Sequence, residues 1–361
     1  MTLDLLLLPG DGIGPEIAEA TRRVLEAADA AFGLELTFET EAIGFASLER
    51  DGSTFPERVL ERARSADGVV LGPVSHAEYP PAAEGGINPS GGLRLGLDLY
   101  ANIRPSRIFP GVPAAAPAMD MVLVRENTEG FYADRTMHAG SGEFMPTPDL
   151  AMALRKVTRA GSERVARVAG RLAMARRRHV TVVHKANVLK LSDGLFLGCA
   201  EQVLKRDFPE VAVDDEHVDA MASLLVRVPD RFDVIVTTNM FGDILSNLAA
   251  ELAGGLGLAA SLNLGDAHAV AQAAHGSAPD IAGQDRANPT SLVLSAAMLL
   301  MHLGERLNEE RLRRAGAAIE HTVTAQLGDA SGRTVDLGGP LGTGAFTDAL
   351  CARIERQGDK V

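Results

Sequence analysis

The sequence is poor in cysteine and in aromatic residues: its 361 residues include two cysteines, no tryptophan and 4% aromatic side chains. Cys199 and Cys351 both lie in apolar segments with a helical pattern, so they indicate small core residues in a reducing compartment rather than a disulfide scaffold. A secretory or membrane-spanning segment is also missing, because the leucine run at residues 5–8 is short and ends at a Pro-Gly pair. We therefore expect a cytoplasmic protein with no membrane partner.

Basic residues are outnumbered by acidic ones. Lysine and arginine number 35 against 48 acidic residues, which gives a net charge of −13 and argues against a general nucleic-acid binder or a binder of anionic membranes. P-loop, G-x-S-x-G, H-E-x-x-H and C-x-x-C motifs and internal repeats are absent from the sequence. The remaining composition is that of a globular protein, and the length allows two domains or two large lobes.

Short apolar runs alternate with amphipathic segments along the chain. Buried strands are predicted at residues 5–8, 68–71 and 179–184, with further strands beginning near residues 121 and 233. Helices are predicted at residues 17–32, 57–64, 162–178, 217–227, 291–303 and 309–327. This alternation predicts an α/β fold with a mostly parallel sheet. Residues 80–92 are predicted to form a Pro/Gly-rich loop. Residues 131–148, which include Gly140, are predicted to form a second loop, which is either functional or a contact between subunits of an oligomer.

The glycine-rich segment at residues 10–14 follows the first predicted strand. Its G-x-G-x-G spacing, followed by Pro15, differs from the G-x-G-x-x-G of dinucleotide-binding Rossmann domains, and a strand-ending acid at the expected distance is not evident. An ordinary Rossmann domain is therefore disfavoured. A tight strand-to-helix turn close to a ligand remains a plausible interpretation.

Acidic residues follow two of the predicted strands. Asp243 and Asn247 are four residues apart, so they share one face of the helix that we predict to begin near Gly242. Asp243 could be a helix cap or part of a binding site. Asp219 is predicted to lie in the first turn of the preceding helix, and two such acids from neighbouring βα units can converge on a hard cation.

Basic residues lie at the ends of other predicted elements. Each of Arg94, Arg104 and Arg125 could be a surface charge, but three of them in an acidic protein favour an anionic substrate. Lys185, followed by Asn187, is a candidate acid/base or carboxylate contact, the alternative being a surface lysine with a buried stem. The loop at residues 275–283 carries glycines that permit close approach to a ligand, although His275 could be purely structural.

Together these segments resemble the β-decarboxylating 2-hydroxyacid dehydrogenases, which include isopropylmalate, isocitrate, homoisocitrate and tartrate/D-malate dehydrogenases. The resemblance covers essentially the whole chain, and its motifs occur in the family's order. They are residues 8–16, Arg94 with Arg104-Pro105, residues 124–130 with Tyr132, residues 184–187, Asp219, residues 239–247, and residues 275–283 with Asn288-Pro289.

The resemblance implies an isopropylmalate-dehydrogenase-like two-domain fold with a large, mostly parallel sheet flanked by helices. Residues 1–100 and 253–361 would form a large cofactor-binding domain, and residues 101–252 a smaller domain with the metal ligands and an arm for dimerisation. It also implies a homodimer, or a higher oligomer, in which the subunits share active sites.

The resemblance further implies a role for each matching residue. The three arginines would clamp the carboxylates of a malate-like dicarboxylate or tricarboxylate substrate, with Ser90 and Asn187 as further substrate contacts. Tyr132 would protonate the enol(ate) after CO2 leaves, and Lys185 of the other subunit would assist deprotonation of the 2-hydroxyl. Asp243, with Asn247 and with Asp219 of the other subunit, would hold Mg2+ or Mn2+.

The cofactor implied by the resemblance is NAD. Members that prefer NAD carry an Asp-Ile pair where this chain has Asp280 and Ile281, and an acid there accepts hydrogen bonds from the ribose hydroxyls and repels a 2′-phosphate. The implied cofactor-binding residues are Ile13, Gln272, His275, Gly276, Ser277, Ala278, Asp280, Ile281 and Asn288.

Two residues depart from the family pattern: Asn247 replaces an aspartate and Gln272 replaces a glutamate. Both changes remove a negative charge, and the loss at position 247 predicts weaker metal affinity. A regulatory or weakly catalytic subunit is therefore the alternative to a working enzyme.

The residues ahead of Arg94 bear on the choice of substrate. Asn88 and Ser90 either shape a loop or favour a polar substituent on the substrate. The second interpretation favours isocitrate, homoisocitrate or tartrate/D-malate over 3-isopropylmalate.

Overall fold

The computed structural model describes residues 2–132, 137 and 142–358. Its centre is a ten-stranded sheet with the order β2-β1-β3-β12-β11-β4-β5-β10-β8-β9. These strands are β1 (Leu3–Leu8), β2 (Leu36–Thr40), β3 (Gly68–Leu71), β4 (Ala101–Arg107), β5 (Asp120–Glu126), β8 (His179–His184), β9 (Ala212–His217), β10 (Val234–Thr237), β11 (Leu262–Leu264) and β12 (Ala269–Gln272). A separate hairpin consists of β6 (Glu143–Thr147) and β7 (Leu150–Ala153).

Helices connect the strands and cover the sheet. They are α1 (Gly14–Phe32), α2 (Phe45–Asp51), α3 (Glu57–Ser65), α4 (Pro89–Gly96), α5 (Arg159–Met174), α6 (Ser192–Asp207), α7 (Val218–Arg227), α8 (Asn239–Ala253), α9 (Thr290–Arg306), α10 (Glu310–Gly328) and α11 (Thr343–Gly358). None of the helices in the described part of the chain is long and apolar enough to cross a membrane.

The sheet is mixed but mostly parallel, as the sequence predicts. Its two outer groups of strands, β2-β1-β3-β12 and β5-β10-β8-β9, are internally parallel, and β11 and β4 join them through antiparallel pairs. Because β5, β10 and β8 run parallel and in register, their carboxyl ends meet at one edge of the sheet. Ligands of open α/β sheets usually bind at this edge.

Burial on both faces explains the apolar character of the central strands. All four residues of β10 are buried, and so are the last six of β5. Parallel strands that are covered by helices on both sides have this near-continuous apolar pattern. The helices present the complementary faces, and α1 buries Ile17, Val24 and Leu25. Gly33 caps the C-terminus of α1, and its φ of 63° is the left-handed conformation that suits glycine.

Two sequence predictions about helix boundaries are wrong. Helix α8 begins at Asn239 with Thr238 as its N-cap, so Asp243 lies in the second turn and does not cap the helix. Helix α4 begins at Pro89, inside the predicted loop at 80–92. Its start has the standard signals, because the Asn88 side chain accepts a hydrogen bond from the Gly91 amide over 3.2 Å and proline occupies the first helical position.

The β6–β7 hairpin occupies part of the excursion predicted at residues 131–148. It pairs with no other strand among the described residues, and both of its strands are exposed. Gly140 lies outside the described residues. An isolated two-stranded hairpin is marginally stable in water, and the role of this one as an arm for dimerisation stays a prediction. The division into two domains stays a prediction.

Candidate active site

An open cleft of about 280 Å³ lies at the sheet edge where β5 and β10 end. It brings together residues from separate parts of the chain that the sequence analysis had singled out. Those among its lining residues are Asn88, Ser90, Arg94, Arg104, Arg125, Tyr132, Asp243, Gln272, His275 and Gly276.

Arg104 projects from the middle of β4 and is only 9% exposed. Its Nη1 donates to Ser246 Oγ over 2.7 Å and contacts Asp243 Oδ1 at 3.3 Å. A weaker contact of 3.5 Å reaches Asn247 Oδ1. Burial and the neighbouring charge of Arg125 lower the pKa of Arg104 to about 10, which leaves it cationic at neutral pH.

Arg125 comes from the end of β5 and is fixed by helix α8. Its Nε and Nη2 donate to Asn239 Oδ1 over 2.9 and 2.7 Å, and its Nη1 donates to Asp243 Oδ1. Gly242 is required for this contact, because a Cβ there would lie 2.7 Å from both Cβ and Cγ of Arg125. Helix α8 therefore approaches β5 closely enough to place a carboxylate against two guanidinium groups.

The cleft has an excess of positive charge. Three arginines and one carboxylate among the described lining residues leave two positive charges if His76 and His275 are neutral. For His275 burial lowers the pKa, which favours the neutral form. In a chain with a net charge of −13, such a local excess favours a ligand with several carboxylates. Tyr132 borders the same space, with its ring centroid 6.0 Å from Arg125 Cζ.

Lys185 and Asp219 form a pair away from this cleft. Lys185 Nζ donates to Asp219 Oδ1 over 2.5 Å, and this hydrogen bond lowers the pKa of Asp219. Neither residue is among the described residues that line the cleft, and the exposed Asn187 is not among them either. The chain thus brings Lys185 and Asp219 together but does not bring them to Asp243, and their action on the cleft of a second subunit stays a prediction.

The oxygen donors of α8 fit part of a metal site. Asp243 and Asn247 offer a carboxylate and an amide oxygen, the hard ligands that Mg2+ and Mn2+ take. Within the described ranges, no group of three or more Asp, Glu, His or Cys side chains is arranged to hold a metal ion. A complete coordination sphere would therefore need donors besides these two side chains.

The glycine-rich turn packs on the predicted cofactor loop. The Ile13 amide donates to Ser277 O over 2.8 Å, and a Cβ at Gly12 would lie 2.0 Å from the same oxygen. Ser277 also contacts Ser75, with 2.7 Å between the two hydroxyl oxygens. The close approach that requires glycine is thus made by protein backbone, which explains why the spacing departs from a dinucleotide-binding turn.

The remainder of this loop leaves polar groups available. His275 Nδ1 lies 2.9 Å from Gly276 O, so we assign its proton to Nδ1 and leave buried Nε2 as an acceptor that has no partner among the described residues. Asp280 is exposed, whereas Ile281 is half-buried. Ala278 precedes them with a φ of 37°, a left-handed conformation that is strained for a residue with a Cβ. Asn288 is fixed by a hydrogen bond of 3.0 Å from its amide nitrogen to Asp336.

A buried network of amide side chains, missed by the sequence analysis, connects the two sides of the cleft. Asn102 accepts a hydrogen bond from Arg104 Nε over 2.6 Å and donates to Asn263 Oδ1 over 2.6 Å. Asn263 in turn donates to Gln272 Oε1 over 3.1 Å, and Ser90 donates to the same oxygen over 3.2 Å. Asn102 and Asn263 lie in strands that the sequence analysis did not predict, so their need for polar partners as buried amides gave no signal.

Comparison with known proteins identifies the family of this chain. The family model for isocitrate/isopropylmalate dehydrogenase matches residues 4–350. The chain belongs to the isocitrate/isopropylmalate dehydrogenase family. Its fold and its membership of a family of oxidoreductases are thereby confirmed.

Three relatives illustrate the range of this family. The chain is 45% identical to the isocitrate/homoisocitrate dehydrogenase of Thermus thermophilus, over 98% of this chain and 99% of that protein. It is 40% identical to the 3-isopropylmalate dehydrogenase of Archaeoglobus fulgidus, over 97% of this chain and 99% of that protein. The crystal structure of isocitrate dehydrogenase from Methylococcus capsulatus superposes with a TM-score of 0.86 at 40% identity, covering 98% of this chain and 100% of that one.

Proposed function

We propose that this protein catalyses the NAD- and divalent-metal-dependent oxidative decarboxylation of a malate-type 2-hydroxy acid that carries a β-carboxylate. The observation that carries this proposal is the cluster of Arg94, Arg104 and Arg125 in one cleft with Asp243 as the single carboxylate among the described lining residues. Two or more substrate carboxylates would neutralise the excess charge and accept the bidentate hydrogen bonds that guanidinium groups provide.

The substrate is proposed to carry a polar substituent. Asn88 and Ser90 line the cleft beside Arg94, and both are hydrogen-bonding side chains. The Thermus relative is named for isocitrate and homoisocitrate, which supports the same choice. Isocitrate, homoisocitrate or tartrate/D-malate is therefore favoured over 3-isopropylmalate.

The reaction transfers a hydride from C2 of the substrate and then releases the β-carboxylate as CO2. The arginines hold the carboxylates so that the bond to the departing carboxylate is presented in one orientation. Lys185 Nζ of the second subunit assists removal of the 2-hydroxyl proton, and Tyr132 Oη delivers a proton to C3 of the enol. A bound cation, held by Asp243, Asn247 and Asp219 of the second subunit, would supply Lewis-acid stabilisation of the negative charge on the substrate oxygens.

NAD is the proposed hydride acceptor. It would occupy the loop that contains His275, Ser277 and Asp280, next to the glycine-rich turn at Ile13. Exposed Asp280 supports NAD over NADP, because its carboxylate can accept hydrogen bonds from ribose hydroxyls and would repel a 2′-phosphate.

A homodimer is proposed as the working form. Large apolar side chains are exposed near Lys185 and on α7 and α8: Leu191 is 91% exposed, Val188 65%, Ile244 59% and Val226 55%. Phe144 and Met145 of the hairpin are 42% and 62% exposed. Packing these side chains on a second copy would remove them from water and would carry Lys185 and Asp219 towards another cleft.

A regulatory or weakly catalytic subunit is the second candidate. It is favoured by Asn247 and Gln272, where the family pattern has acids. The same cleft would then bind substrate without efficient turnover.

A substrate panel separates these proposals. The purified protein is mixed with isocitrate, homoisocitrate, D-malate, tartrate and 3-isopropylmalate, each with Mn2+ and with NAD or NADP, and the absorbance of the reduced cofactor is followed. We expect NAD-dependent turnover of at least one polar substrate. Binding without turnover would favour the regulatory subunit, and a clear preference for NADP would contradict the role of Asp280.

A further inference from the structure

Arg155 lies immediately after the β6–β7 hairpin and is almost completely buried. Its side chain is 8% exposed. Nη1 donates to Ser192 Oγ over 3.0 Å and pairs with the Asp193 carboxylate, and Nη2 donates to Thr238 Oγ1 over 3.0 Å. The guanidinium carbon also lies 5.9 Å from the ring centroid of Phe131 and 5.3 Å from that of Phe241.

Asp193 connects Arg155 to the proposed acid/base lysine. The carboxylate is fully buried, and while Oδ1 is paired with Arg155, Oδ2 accepts a hydrogen bond from the Lys185 backbone amide over 2.6 Å. Arg155 thus fixes the carboxylate that fixes the main chain of Lys185. The position of this main chain determines how far Lys185 Nζ reaches.

The other contacts of Arg155 reach two further elements of the site. Thr238 is the N-cap of α8, the helix that carries Asp243, and its side chain makes no capping hydrogen bond because it is turned towards Arg155. Phe131 directly precedes Tyr132 in the chain. One cation therefore contacts the segment of the proposed proton donor and the acidic helix directly, and it is linked to the segment of the proposed base through Asp193.

We propose that Arg155 is a positioning residue that holds the Lys185 segment, the Tyr132 segment and α8 in their catalytic arrangement. This inference rests on the function proposed above. A buried ion pair is by itself weak evidence for stability. The distinctive feature here is that Arg155 directly contacts two segments with a site residue, at Phe131 and at Thr238, and reaches a third, the Lys185 segment, through Asp193. Arg155 also follows Leu154, whose amide donates to Gly142 O over 2.7 Å at the base of the hairpin, so the arrangement is tied to the arm.

Three variants test this role. Arg155→Met removes the charge and all the hydrogen bonds, and Arg155→Lys keeps the charge. Arg164→Met is a matched control, because Arg164 also pairs with an aspartate, Asp98, and lies 4.3 Å over an aromatic ring, that of Tyr100. In Arg155→Met we expect kcat to fall by about 10²-fold with KM changed far less, since small misplacements of reacting groups cost about this much. Arg155→Lys should recover part of kcat, and Arg164→Met should leave it unchanged.

Hydrogen exchange provides a readout that does not depend on activity. We expect the amides of residues 184–191 to exchange faster in Arg155→Met than in the wild-type protein, and Arg164→Met to exchange like the wild type there. Unchanged exchange in Arg155→Met, or an equal loss of kcat in Arg164→Met, would overturn the positioning role. Absence of turnover by the wild-type protein would instead refute the proposed function, and exchange would still decide whether Arg155 holds the Lys185 segment.

Discussion

Arg104 donates from Nε to Oδ1 of Asn102 over 2.6 Å, and this contact sets the orientation of two further amides. Because a guanidinium group has no acceptor, Asn102 must use its oxygen there and its nitrogen towards Asn263 Oδ1. Asn263 must then donate to Gln272 Oε1. The nitrogen of Gln272 is left for the cleft, so this chain presents an N–H donor where the family pattern has a carboxylate.

Gln272, a predicted cofactor contact, also lines the cleft that holds the three arginines, so replacing it by glutamate should weaken substrate binding. One carboxylate oxygen would still accept from Asn263 and Ser90, but the other would place a negative charge in the cleft that binds anions. We expect KM for the preferred substrate to rise by about 10-fold, since two like charges several ångströms apart at a partly buried site repel by about 1–2 kcal/mol. Steady-state kinetics of Gln272→Glu give this value.

The control for that experiment is Gln202→Glu, which adds the same charge at an exposed position on α6. Equal KM values for the two variants would show that Gln272 does not face the bound substrate.

Restoring the acid at position 247 should tighten metal binding. Asn247→Asp adds a second carboxylate one helical turn after Asp243, and we expect the concentration of Mn2+ required for half-maximal activity to fall. Asp243→Asn, which removes the first carboxylate, should abolish metal-dependent turnover. Mn2+ titrations of both variants, with substrate present, provide the measurement. Wild-type metal dependence in Asp243→Asn would rule out the assigned ligand.

The contact between α8 and β5 can be disturbed with a single methyl group. In Gly242→Ala the new Cβ would meet the Arg125 side chain at 2.7 Å, so Arg125 must move away from its position in the cleft. We expect a higher KM for the substrate and a stability loss of about 1–3 kcal/mol, the usual cost of overpacking. Kinetics and urea unfolding measure the two effects.

A matched glycine exists on helix α6. A Cβ at Gly198 would meet no atom within 4 Å, so Gly198→Ala should stabilise the protein by up to about 1 kcal/mol through helix propensity alone. Identical behaviour of the two variants would contradict the proposed close packing of α8 on Arg125.

The sequence predicted the elements better than it predicted the contacts between them. Strands at residues 68–71 and 179–184 are confirmed residue for residue, because short apolar runs bounded by polar residues identify buried strands. The start of α8 was placed near Gly242, a few residues too late, although Thr238 and Asn239 are residue types that favour helix starts. The start of helix α4 was missed because its proline and glycines were interpreted as part of the predicted Pro/Gly-rich loop at residues 80–92.

The site could be predicted only in part for a related reason. The arginines, Tyr132 and Asp243 are brought together in the cleft as expected. The amide network and the Arg155 contacts join residues far apart in sequence, such as Asn102 and Asn263, which are 161 residues apart. Local pattern carries no information about such pairs, which depend on the order of strands in the sheet.

Acid should destabilise the protein partly through His302 on α9. Burial, with smaller contributions from Arg306 and Arg171, lowers the pKa of His302 to about 4. Between the unfolded pKa near 6.5 and this folded value, the unfolded chain binds a proton that the folded chain does not, so stability falls as pH decreases. We expect this histidine to lower the free energy of unfolding by about 2 kcal/mol between about pH 7 and pH 5.

Urea unfolding of His302→Gln measures this contribution. The variant should lose less stability over that pH range than the wild type, while His321→Gln, at an exposed position on α10, should behave like the wild type. An unchanged pH dependence in His302→Gln would show that other groups dominate the acid response.

The stoichiometry of the reaction distinguishes oxidative decarboxylation from oxidation alone. With NAD, Mn2+ and the preferred malate-type substrate labelled in its β-carboxylate, NADH and labelled CO2 are quantified in the same sample. We expect one CO2 for each NADH, and loss of both products when the cation is chelated. NADH without labelled CO2, or product formation unaffected by chelation, would contradict metal-dependent oxidative decarboxylation by this protein.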